Sequence, residues 1–98
     1  MLAIVIENGY SCPQVFCDHC QKRINSAKDG NYNYLLDYPG QNQGEIFFTH
    51  KECCWAFENS HPGCWGAEEL ELLPLYLARN LKVNDRHAKE LAASFALL

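Results

Sequence analysis

The chain has 98 residues, 48% hydrophobic and 20% charged, a globular composition with room for one modest core. Its formal net charge is −4, with four basic and seven acidic side chains in residues 1–60 and four and five in residues 61–98. That even, acidic balance offers no basic stripe for non-specific nucleic-acid binding, and no apolar stretch is long enough to suggest a membrane span.

Met1 to Ile6 is apolar but short, lacks a positive lead and runs into Glu7-Asn8-Gly9. It therefore reads as a strand over Leu2 to Glu7 and not as a leader. Cys12-Pro13 is expected to break that strand, and Val15-Phe16 to form a short extended piece entering Cys17. Lys22, Arg23 and Lys28 make a small basic cluster that reads as solvated surface. After a Ser26–Asn31 loop, Tyr32, Tyr34, Leu36 and Tyr38 alternate with Asn33, Leu35 and Asp37, the period of a half-buried strand. Pro39 to Gly44 is a six-residue connection and Glu45 to Phe48 the returning strand, so residues 32–48 read as a β-hairpin.

Thr49 and Glu52 then form a capping-box pattern, which predicts a helix with His50 as its first residue and Cys53 as its fourth. Helical character continues through Trp55, Phe57 and Glu58 until Asn59-Ser60-His61-Pro62-Gly63. The remainder reads as helical. Glu68, Glu69 and Glu71 suggest a start, Pro74 a restart or kink near Leu73, and Leu70, Leu73, Leu77 and Leu81 recur at helical spacing. Asn84 is placed to cap a last helix whose Ala88, Leu91, Ala92, Phe95 and Leu98 form an apolar stripe.

Two pairs carry the chemistry. Cys17-Asp18-His19-Cys20 and His50-Lys51-Glu52-Cys53 each set two soft donors three positions apart, with 29 residues between the pairs. Cys17, Cys20, His50 and Cys53 together make the donor set of a closed tetrahedral zinc site. Such a staple suits a small chain: structural zinc in finger peptides contributes roughly 10–16 kcal/mol, against roughly 5–15 kcal/mol for the whole stability of a small domain. The six cysteines are even in number, but the paired spacing favours reduced thiols and metal, in a cytoplasmic setting, over a secreted disulfide framework. Cys54 competes with Cys53 as fourth ligand, since i and i+4 also share a helix face. Cys12, Cys54, His61 and Cys64 leave open a second site, although Cys54 and Cys64 as small buried hydrophobes and His61 in a His-Pro-Gly turn account for them better.

The order of knuckle, β-hairpin and helix, with the series Cys-x-x-Cys…His-x-x-Cys, resembles a treble-clef zinc finger and the first zinc site of LIM domains. The resemblance covers Cys17 to about Glu58; the intervening segment is longer than usual in LIM domains, and no second complete site follows directly. It implies an α+β fold, with residues 1–60 a zinc-binding unit and residues 61–98 a helical extension packed on it as one compact domain. A closed site leaves no coordination position for water, so the expectation is structural zinc without enzymatic activity. The terminal amphipathic helix makes a protein partner the first functional reading. A nucleic-acid-binding finger is the alternative, disfavoured by the acidic charge. Val15-Phe16-Cys17-Asp18-His19-Cys20 also resembles the strand-then-CxxC entry of thioredoxin-like oxidoreductases, a reading that leaves His50 and Cys53 without a role.

Overall fold

The computed structural model describes residues 1–36 and 44–95. Two antiparallel sheets and three α-helices make a small α+β fold. The first sheet is a hairpin of β1 (Leu2–Glu7) and β2 (Tyr10–Val15). Asn8 and Gly9 both take positive φ, 50° and 81°, the two-residue turn whose twist matches the strands it joins. β2 therefore runs through Cys12-Pro13, contrary to the expected break. The ladder explains how. Phe16 N–H donates to the Met1 carbonyl at 2.7 Å, so by alternation Ala3–Gln14 and Val5–Cys12 are the hydrogen-bonded pairs. Pro13, opposite Ile4, falls at a position whose missing N–H would point away from β1.

The second sheet has the order β4-β3-β5, from β3 (Gly30–Leu35), β4 (Phe47–His50) and β5 (Trp65–Glu69). The expected pairing of the 30s with the segment before His50 is present, in register Tyr32 opposite Phe48 and Asn33 opposite Phe47. The connection expected at Pro39–Gly44, with Asp37 and Tyr38, lies outside the described residues except for Gly44. β5 is a strand where a helix was expected. Glu68 accepts from the Tyr32 hydroxyl across the β3–β5 pair and Glu69 pairs with Lys51 at 2.9 Å, so partners distant in sequence override the helical preference of the glutamates. Burial and the Glu68 carboxylate together push the Tyr32 hydroxyl pKa well above its ordinary value.

The Asn-bearing face of β3 is not solvent-facing. Asn33 and Thr49 are fully buried, and the Thr49 hydroxyl donates to Asn33 Oδ1 at 2.9 Å. Asn33 Nδ2 reaches Glu58 Oε2 at 3.0 Å and Cys54 Sγ at 3.3 Å. This network joins β3, β4 and α1 (Cys54–Ser60), and no buried side-chain N or O among the described residues lacks a partner. Beside it, Phe57 is 1% exposed and packs against Phe47, Trp65 and His61.

The remaining helices are α2 (Leu72–Asn80) and α3 (Asp85–Ser94). Pro74 does not kink α2 but marks its start, which falls at Leu72, one residue from the expected Leu73; in the first turn its missing N–H is not needed. Asn84 caps α3 as expected, its side chain accepting from His87 N–H at 3.0 Å. Neither helix contains a buried residue, and Leu75, Leu81 and Phe95 are all exposed. The described helices include none long and apolar enough to cross a membrane.

Candidate metal centre

The Cys17–Cys20 segment forms a tight knuckle closed by backbone contacts. Phe16 bridges to Arg23, Cys17 N–H donates to the Lys22 carbonyl at 2.9 Å, and Gln21, at φ 66°, returns its N–H to the Cys17 carbonyl at 2.9 Å. Asp18 ties this knuckle to β4: its N–H donates to the Phe48 carbonyl at 2.7 Å and its carboxylate accepts from Phe48 N–H at 2.8 Å. The knuckle is thus held beside the end of β4, where His50 lies.

The second pair is positioned differently from the capping-box expectation. Thr49 is a buried β4 residue bonded to Asn33, not a helix cap, and α1 begins only at Cys54. Between them Lys51–Cys53 form one 3₁₀ turn, with His50 as its extended N-cap (φ −62°, ψ 150°). A turn of about three residues stacks positions i and i+3, so His50 and Cys53 still face one point.

The outcome is one cluster. The donor atoms of Cys17, Cys20, His50 and Cys53 all lie within 4.8 Å of one another, the only such group among the described residues. Around a tetrahedral zinc ion with Zn–S of about 2.3 Å and Zn–N of about 2.0 Å, the S···N edge is about 3.5 Å. Cys20 Sγ and His50 Nδ1 are 3.4 Å apart. The other imidazole nitrogen, Nε2, lies 3.1 Å from the Arg23 carbonyl. A carbonyl only accepts, so Nε2 carries the proton and Nδ1 presents its lone pair to the cluster.

The electrostatics of the cluster are compatible with a cation at its centre. Burial opposes ionisation of Cys17, but backbone N–H donation to its sulfur from Cys20, His50 and His19 outweighs it and holds the pKa at about 6. Burial raises the Cys53 thiol, and the adjacent Cys17 and Cys20 sulfurs add to the effect, pushing it up to about 12. Three thiolates at one point repel each other, and a divalent ion reverses that repulsion. The donor set, spacing and tautomer are therefore compatible with a bound metal ion.

Cys54, the rival fourth ligand, points elsewhere: its sulfur is 3.3 Å from both Asn33 Nδ2 and Glu58 Oε2. The second site considered from Cys12, Cys54, His61 and Cys64 does not assemble among the described residues. His61 instead stacks on Phe57 at 4.3 Å, with Nδ1 2.8 Å from the Phe57 carbonyl. In the basic cluster, Arg23 pairs with Glu7 at 3.0 Å. The supporting roles of Asp18, the Arg23 carbonyl and Asn33 had no counterpart in the sequence reading. A turn residue, a backbone oxygen and a strand asparagine carry no local signal of what they will meet.

No protein-family model matches the chain, and neither a curated protein nor a solved structure matches it.

Proposed function

We propose that the chain is a small structural-zinc protein of treble-clef type, built on the knuckle, the β3–β4 pair and the turn into α1. One observation carries this reading: four donors converge within 4.8 Å of one another while the Arg23 carbonyl directs His50 Nδ1 into the cluster. Three thiolates and an imidazole favour Zn²⁺ over hard, oxygen-seeking ions. With all four positions filled by protein, the ion has no vacancy for water, so its role is to hold the fold and not to catalyse.

The activity is then one of binding. The exposed apolar residues of α2 and α3 serve a protein partner, with the acidic surface selecting against nucleic acid. Thiol alkylation of the purified protein tests the metal reading. Cys17, Cys20 and Cys53 should resist modification until chelator is added, whereas equal labelling with and without chelator would count against it. A chain ending before Asn84 should keep its zinc and lose its association with other proteins; undiminished association would remove α3 from the reading.

A further inference from the structure

The two sheets expose strand edges of very different character. The outer edge of β4 is already occupied by Asp18, whose N–H and carboxylate bond to Phe48. The outer edge of β2 is blocked twice: Pro13 has no N–H to offer, and the Val15 carbonyl accepts from Ile24 at 2.8 Å. β5 is an edge strand as well, but Gly66, Glu68 and Glu69 make it a poor template for strand addition.

β1 has none of these devices. The ladder phase fixed by Met1 and Phe16 turns the N–H and C=O groups of Leu2, Ile4 and Ile6 away from β2, as a complete row. The same residues have exposed side chains, at 64%, 62% and 66% of their full area, on one face of the hairpin. Leu2 to Ile6 contains no charge, proline or bulge, the usual protections of an open edge. The adjoining Glu7 is neutralised by Arg23 at 3.0 Å.

We infer that β1 is a self-association edge, pairing antiparallel with β1 of a second copy about a two-fold axis at Ile4. The strand is self-complementary in that register. Ile4 meets its own counterpart and Leu2 meets Ile6 twice, so six exposed apolar side chains line one face of a continuous four-stranded sheet. No carboxylate lies within the paired core. A foreign strand would satisfy the same hydrogen bonds; the second copy satisfies them and brings three matching apolar side chains in the same register. The inference rests on the hairpin and does not depend on the metal reading.

The test is sedimentation equilibrium of the full zinc-supplemented chain, from about 1 μM to about 1 mM, a range that spans weak and moderate dissociation constants. The wild type should rise from 11.2 kDa to twice that mass. Ile4→Pro removes an outward N–H while sparing the β1–β2 ladder, and should stay monomeric. Ile4→Lys and Ile4→Glu should each be monomeric alone, since like charges then meet at the axis, and an equimolar mixture should recover the dimer. Circular dichroism checks the fold, and the charge pair decides the matter if the proline variant fails to fold. A wild type monomeric throughout, a dimer unaffected by Ile4→Lys, or a charge mixture that stays monomeric would each overturn the inference.

Discussion

Adjacent cysteines with opposite assignments give the sharpest internal control. Cys53 contributes its sulfur to the four-donor cluster, whereas Cys54 bonds to Asn33 and Glu58. If roughly 10–16 kcal/mol of zinc affinity is shared among four ligands, losing one costs about 3 kcal/mol, or roughly a hundredfold in affinity. Cys53→Ala should therefore weaken zinc binding by about two orders of magnitude and lower the melting temperature of the zinc-supplemented protein. Cys54→Ala removes one contact to Asn33 Nδ2, but the same amide keeps Glu58 at 3.0 Å. Its cost should be about 1 kcal/mol of stability with zinc affinity unchanged. Chelator competition paired with thermal melts reads both quantities. Equal loss of zinc in the two variants, or loss only in Cys54→Ala, would refute the assignment of the 3₁₀ turn as the ligand-bearing element.

Three further outcomes follow from the same contacts. Cys53 is held up at about 12 in the metal-free cluster, so at neutral pH its proton must leave when metal binds; zinc affinity should climb at least tenfold per pH unit between about pH 7 and 8 and fall on acidification. Calorimetry in buffers of different ionisation enthalpy measures that proton, and pH-independent affinity would contradict it. Asn33→Leu strands the Thr49 hydroxyl and removes the amide donor to Glu58, and should cost about 2–4 kcal/mol in urea unfolding, with part of that loss recovered by Thr49→Val in that background. Gly66→Ala would place a Cβ 2.7 Å from the Tyr34 ring, so the β3–β5 pairing should lose about 1–3 kcal/mol, visible as a lower melting temperature.

The four-donor cluster was legible in the sequence because the identity and spacing of its donors are themselves the chemistry. Two donors three residues apart constrain the backbone to a turn whatever surrounds them, which is why the cluster forms although the helix start was misplaced. Thr49 and Glu52 met the capping pattern, but the Thr49 hydroxyl found Asn33, 16 residues away in β3. No local window contains that partner. Glu68 and Glu69 looked like helix starters for the same reason; Tyr32 and Lys51, which hold them in β5, are distant in sequence. Period alone set Asn33 on the face opposite the tyrosines without saying that it is buried; hydrogen bonds from β4 and α1 are what bury it. The Asn8-Gly9 turn was readable, and only the presence of Pro13 hid the second strand. A ladder with Pro13 at an outward-facing position removes that objection.

Metal content measured by elemental analysis on protein purified without added metal bears most directly on the whole account. One zinc per chain is the expected value, with loss of the cooperative thermal transition once a strong chelator has stripped the ion. Protein that carries no metal, melts cooperatively and is indifferent to chelator would contradict a fold held together at Cys17, Cys20, His50 and Cys53.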